Sequence, residues 1–182
     1  CGECQSCNDL VANGPGSLDV IELDAATHGL VDDARDLRDK AFFAPVQSKY
    51  KIYIIDEAHQ LGPGAANALL KVVEEPPPHV IFIFATTEPE KLISTIRSRT
   101  HHYPFRLVPP GILGEHLEKI CAQEGVKVAK GVIPLVVRAS GGSVRDALSI
   151  LGQLLAGAGV EGVSYEIAVQ LLGFTDSALL DD

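Results

Sequence analysis

Methionine is missing from all 182 residues, so the chain carries no initiator residue and is expected to be an internal piece of a longer polypeptide. No basic region followed by an apolar segment stands at the start of these residues, and a cytoplasmic protein is expected. Apolar runs long enough to span a membrane are absent as well. There is no low-complexity tract, and 21% charged against 46% hydrophobic residues describes a globular chain rather than a disordered one. Positive charge is in deficit. The net charge of −9 argues against an indiscriminate nucleic-acid binder and leaves room only for a local basic surface. No G-x-x-x-x-G-K-[ST] occurs anywhere, so the backbone cradle and lysine that grip nucleotide phosphates are not in these residues. The length suffices for one good core, or for a large domain with a small one.

What is present centres on KIYIIDEAHQ, residues 51–60. Ile52, Tyr53, Ile54 and Ile55 form an unbroken apolar run of strand length, which suits the middle of a parallel sheet covered on both faces. Asp56 and Glu57 follow where such a strand ends, and open α/β sheets bind ligands at the carboxyl ends of their strands. Paired carboxylates there suit a Mg²⁺–nucleotide partner and a water-polarising base. Taken alone, the same two acids also fit the start of a solvated turn.

Upstream, CGECQSC places Cys1, Cys4 and Cys7 at a spacing that lets one short loop aim three thiolates at one ion, whereas a closed zinc site needs four ligands. Cys121 shares a helical face with Leu113, Leu117 and Ile120, which predicts a core residue and not the fourth ligand. The competing reading is a frayed, unmetallated end. A short strand is predicted over Asp19–Leu23, then a helix whose Val31, Ala34, Leu37 and Ala41 share a face opposite a solvated charge run. Pro63 opens another helix, with Ala66, Leu69, Leu70 and Val73 recurring at helical spacing until Pro76–Pro78 stop it. Val80–Ala85 is a second fully apolar strand, tipped by Thr86 and Thr87. Parallel pairing of the two strands would set those hydroxyls level with Asp56 and Glu57. Pro89 starts a short helix with Leu92, Ile93 and Ile96, ending in Arg97, Ser98 and Arg99. Arg97 reads as a charge cap on that helix. His101 and His102, adjacent on an extended segment, would face opposite ways and are not read as a metal pair.

Around LVPPG, residues 107–111, the character changes, and helices are predicted at 112–124, about 130–139, 143–155 and 164–172. Ser143 is the expected N-cap of the third, with Val144, Ala147, Leu148, Leu151 and Leu155 as its buried face. Arg145 falls in its first turn, where the helix dipole disfavours a cation; it reads either as a surface residue or as one with an anionic partner.

The order CGECQSC, DVIELDAATHGLVDDARDLRD, KIYIIDEAH, NALLKVVEEPP, FATTEPEKL, TIRSRT and GGSVRDALS resembles the tau/gamma subunits of bacterial DNA polymerase III, the AAA+ ATPases of the sliding-clamp loader. The resemblance runs from residue 1 to about 173. It implies an α/β fold, a partial AAA+ P-loop NTPase-type parallel sheet over 1–107 with most of a zinc module at about 1–10. A small all-helical lid domain would follow at 108–173, and 174–182 would begin a collar domain. By resemblance, Asp56 and Glu57 are the Walker B pair, one serving the Mg²⁺ shell and the other polarising the attacking water. Thr86 and Thr87 occupy the sensor 1 position, Arg99 the arginine finger that reaches a neighbouring subunit's ATP, and Arg145 sensor 2. Cys1, Cys4 and Cys7 match three of four zinc ligands, the fourth and the phosphate loop being expected upstream. The implied cofactors are ATP, Mg²⁺ and structural Zn²⁺. The implied partners are the delta and delta-prime subunits, further tau/gamma copies, the sliding clamp and primer-template DNA, in a nucleoid-associated replisome with no membrane contact.

The family's Ser-Arg-Cys reads Ser98-Arg99-Thr100 here, which keeps the arginine. Without a phosphate loop, the 182 residues alone are expected to be inactive. A delta-prime-like, non-hydrolysing stator is the alternative, against which the intact Asp56–Glu57 pair and Arg145 speak. Asp56–His59 also spells a DEAH box, but Ala85-Thr86-Thr87 stands where a helicase has Ser-Ala-Thr, and no glutamine- and arginine-rich motif follows. A zinc-stabilised interaction module is the third reading.

Overall fold

The computed structural model describes residues 1–28, 31–157 and 162–173. The chain divides into two compact units, Cys1–Tyr103 and Pro104–Asp182. The expected start of a further domain at 174–182 lies outside the described residues.

In the first unit a short helix α1 (Gln5–Asp9) precedes strand β1 (Val20–Asp24), helix α2 (Ala25–His28) and helix α3 (Val31–Ala41). Strand β2 (Lys51–Asp56), helix α4 (Pro63–Glu74), strand β3 (Val80–Phe84) and helix α5 (Ser94–Ser98) follow. The strands pair in parallel in the order β1-β2-β3. Two successive right-handed crossovers that step the same way across a sheet set their helices on the same face. The core accordingly joins Tyr53 and Ile55 of β2 to Ala34, Leu37 and Ala41 of α3 and to Ala65, Leu69 and Val72 of α4.

That arrangement corrects the expectation of a sheet covered on both faces. Ile52 and Ile54 are only half-buried, and Ile81 and Ile83 on β3 are exposed. An unbroken apolar strand is compatible with two covered faces but cannot say how many are covered here.

Asp19 was expected inside the first strand and instead turns inward just before it. It is fully buried, and its carboxylate accepts the backbone N–H groups of Val46 (2.6 Å), Gln47 (2.8 Å) and Ser48 (2.7 Å). Burial alone would raise its pKa, but the three donors outweigh it and hold the carboxyl below its usual range. The loop into β2 is thereby tied to the entry of β1. Lys51 is also buried, and its ammonium donates to the carbonyl of Lys40 (3.0 Å) at the end of α3.

The second unit is helical: α6 (Pro110–Gln123), α7 (Val132–Ser140), α8 (Val144–Ala156) and α9 (Tyr165–Leu172). Leu113, Leu117 and Cys121 of α6 are buried together, so Cys121 is a core residue as its spacing predicts. The Ser143 hydroxyl accepts the Asp146 N–H at 3.2 Å and caps α8. The buried stripe of α8 is Ala147, Leu151 and Leu154; Leu148, expected inside, is 39% exposed. Gly142, just before this cap, holds φ +88°, and a Cβ there would lie 3.0 Å from the Leu107 side chain. Its carbonyl accepts the Val108 N–H at 3.0 Å, so the proline-rich stretch is tied to the helical unit. Residues 101–109 form no strand, and His101 and His102 are both exposed. Among the described residues no helix is long and apolar enough to cross a membrane.

Candidate functional site at the strand ends

The parallel register pairs Ile55 with Phe84, which sets Asp56 and Glu57 at one strand tip beside Ala85 and Thr86 at the next. Two hydrogen bonds stitch the tips together: Ala85 N–H to the Ile55 carbonyl and Ala58 N–H to the Ala85 carbonyl, both 2.9 Å. Asp56 is exposed, and one of its oxygens accepts the Glu57 N–H at 2.9 Å. Glu57 has φ +47° and ψ +40°, a left-handed backbone that costs a residue with a Cβ about 1–2 kcal/mol. That turn breaks the strand and starts a short 3₁₀ turn, Ala58–Gln60.

Thr86 lies within this cluster, its hydroxyl 2.9 Å from Nδ1 of His59 and accepting the Glu88 N–H at 3.0 Å. Thr87 is exposed at the same edge. Sequence reasoning passed over His59 and Glu88, which connect the two strand tips. The letters DEAH were a signal for the histidine, but its partners come from the neighbouring strand. Asp24 reaches the same edge, level with Asp56, and its carboxylate is used locally to cap α2 through the Ala26 N–H at 2.8 Å.

Within the first unit, Arg99 and the three cysteines are not part of this cluster. Arg99 closes α5, about half exposed, with its guanidinium 3.5 Å from Glu74 at the end of α4. Arg145 is exposed in the first turn of α8, in the second unit. Cys1, Cys4 and Cys7 converge, with their sulfurs all within 4.8 Å of one another and Cys1 and Cys7 3.8 Å apart. A tetrahedral zinc with ~2.3 Å bonds to sulfur spaces its ligands about 3.8 Å apart, so the three thiols fit three corners of such a site. A hydrogen bond from the Gly2 backbone, then one from the Cys4 side chain, draw the Cys7 thiol below its ordinary pKa, the direction a metal ligand needs. Cys4 occupies the N-cap position of α1 and Cys7 lies within it, while the Cys4 N–H donates to the Cys1 sulfur at 3.4 Å.

Residues 1–109 match the family model described as DNA polymerase III, delta subunit, and residues 113–160 match that of the DNA polymerase III clamp loader subunit, ATPase lid domain. The chain belongs to the DNA polymerase III clamp-loader subunits. Along its whole length this clamp-loader chain is 64% identical to DNA polymerase III subunit gamma/tau of Mycobacterium tuberculosis, of which it covers 32%. It is 39% identical over 176 residues to subunit tau of Escherichia coli, covering 97% of this chain and 27% of the relative. It therefore spans about a third or less of these curated relatives. A DNA polymerase III gamma subunit-related protein from Thermotoga maritima superposes with a TM-score of 0.57 at 25% identity, over 76% of this chain and 45% of that one. The RuvB Holliday junction branch migration motor of the same organism gives a TM-score of 0.67 at 15% identity, over 87% and 53%, a likeness of fold alone. The resemblance to tau/gamma drawn from the motifs thus extends over the chain, within a partial AAA+ type of α/β sheet with a helical lid.

Proposed function

We propose that this chain supplies the hydrolytic half of an ATP site in a sliding-clamp loader, within the ATPase subunit that loads the clamp onto primer-template DNA. The observation that carries the reading is the pair of carboxylates at the tip of β2 beside the hydroxyls at the tip of β3. Asp56 fits a Mg²⁺ shell because it is exposed and only one of its oxygens is engaged among the described residues. A bound Mg²⁺ would neutralise charge developing on the nucleotide phosphates. Glu57, held at the turn beyond the strand, accepts a proton from or orients the attacking water, while Thr86 and Thr87 offer hydroxyls to the terminal phosphate. Arg99 acts in trans on the ATP of a neighbouring subunit, and Arg145 binds phosphate from the lid. The domains follow suit: a core over 1–107 with the zinc module at its start, and a lid over 108–173. Cys1, Cys4 and Cys7 would hold a structural Zn²⁺, which supplies a cross-link and no chemistry. Other clamp-loader subunits, the clamp and primed DNA are the partners, in the cytoplasm.

The delta-subunit model matching residues 1–109 favours a second reading, a stator that does not hydrolyse ATP. One substitution separates the two. In the complete gene product assembled with its partner subunits, Glu57→Gln should keep ATP binding and lower single-turnover hydrolysis by about 10²-fold or more. A hydrolysis rate unchanged by Glu57→Gln would sink the catalytic reading and leave the stator.

A further inference from the structure

The last residue of α4, Glu74, is a carboxylate at the negative end of a helix dipole, and Glu75 follows at its C-cap. A cation is favoured at that end, so two acids there are unfavourable unless a positive group comes to them. Arg99 supplies it, with Nη2 lying 3.5 Å from Oε1 of Glu74. Among the described residues the guanidinium makes no other ion pair or hydrogen bond. The two partners are held by different means. Ala65, Ala66, Leu69, Val72 and Val73 bury one face of the 12-residue α4, which therefore presents Glu74 from a stiff rod about 18 Å long. The short α5 is anchored by buried Ile96, whose carbonyl accepts both the Arg99 N–H (3.1 Å) and the Thr100 hydroxyl (2.9 Å). The backbone of Arg99 is thereby fixed. Its side chain is long and about half exposed, and Glu74 is what gives it a direction. An ion pair this exposed adds little to stability, so its effect lies in where the guanidinium sits. One contact at Nη2 leaves the Nη1 and Nε donors of the fork free to meet phosphate oxygens.

We propose that Glu74 is a positioning residue for Arg99, tethering the guanidinium beyond the end of α5 so that it reaches the ATP of a neighbouring subunit already ordered. The inference rests on the reading of Arg99 as the residue that acts in trans. Ordering a long side chain in advance lowers the entropic cost of engaging the transition state. A carboxylate that parked the arginine away from phosphate would do the reverse, and its removal would raise the rate. The observed contact is single, long and half exposed, which suits a tether that leaves reach and not a bidentate clamp.

The test uses the complete gene product assembled with its partner subunits, measuring ATP affinity and single-turnover hydrolysis separately. Arg99→Ala should slow hydrolysis about 10³-fold or more. Glu74→Ala should slow it about fivefold, the rate equivalent of an exposed ion pair near the top of its usual range, with the Kd for ATP within about twofold of the parent. Glu74→Gln keeps the reach and one acceptor oxygen and should recover most of that loss. Glu74→Lys sets a like charge beside Arg99 and should be slower than alanine. On the Arg99→Ala background none of the three should change the rate further, because all act through the arginine. If Arg99→Ala hydrolyses at the parent rate, the underlying reading fails and this one with it. Suppose instead that Arg99→Ala is slow while Glu74→Ala matches or exceeds the parent rate, loses affinity in step with rate, or slows the Arg99→Ala protein further. Then the proposal for Glu74 alone is overturned. It is also overturned if lysine hydrolyses as fast as glutamine, and that comparison decides the matter if the alanine variant does not assemble.

Discussion

Asp19 shows how much a single buried charge can organise. Three backbone donors converge on it, and they belong to a loop 27 to 29 residues further along the chain. Its folded-state pKa is depressed, so its contribution is fully present above the unfolded value of about 3.9 and is lost as pH falls through the folded value. Asp19→Asn should cost about 2–3 kcal/mol at pH 7, because the amide turns donors toward donors. The gap between the two proteins, measured by urea unfolding, should narrow as the pH is lowered below about 4. A gap constant from pH 7 to pH 2 would show that the carboxylate is not stabilised by those N–H groups. None of this could be read from the residue itself, since Asp19 precedes a strand in the manner of any turn residue. Asp56 and Glu57 were legible for the opposite reason: two acids after four apolar residues break a pattern, and their place at a strand tip follows from it.

The sheet has two faces with different energetics. Ile55 is 2% exposed beneath α3 and α4, whereas Ile83, on the neighbouring strand, is 47% exposed on the other face. Ile55→Ala should cost about 2–4 kcal/mol through lost burial and a cavity. Ile83→Ala should stay within about 0.5 kcal/mol. Equal losses on chemical denaturation of the 182-residue chain would mean that the second face is covered after all. The strands and most helices were readable from their apolar spacing and from proline and serine at the helix starts. The number of covered faces was not, because an unbroken isoleucine run contains no alternation to mark a wet side. Leu148 in α8 illustrates the same limit for a helix. Spacing puts it on the stripe, but the neighbouring helices meet the helix further round, at Leu154.

At the scale of the whole molecule, a sheet unit bearing carboxylates and hydroxyls and a helical unit bearing Arg145 each have a core of their own. Neither contains a G-x-x-x-x-G-K-[ST], the element that supplies most of the contacts to the phosphates. Calorimetric titration of the 182-residue chain with Mg·ATP should therefore show binding no tighter than about 1 mM. A micromolar Kd would overturn the expectation that these residues are half of a site. The sequence by itself determined the strand and helix succession, the acidic and hydroxyl tips, the cysteine cluster and the family, since each is a local pattern of spacing or a contiguous motif. The tertiary structure alone decided that Thr86, Glu57 and Glu88 meet around His59 and that Asp19 anchors a distant loop. It also decided that, among the described residues, the sheet is covered on one face. Those outcomes depend on strand register and crossover direction, which arise from contacts between residues far apart in the chain and leave no mark in any one stretch of it.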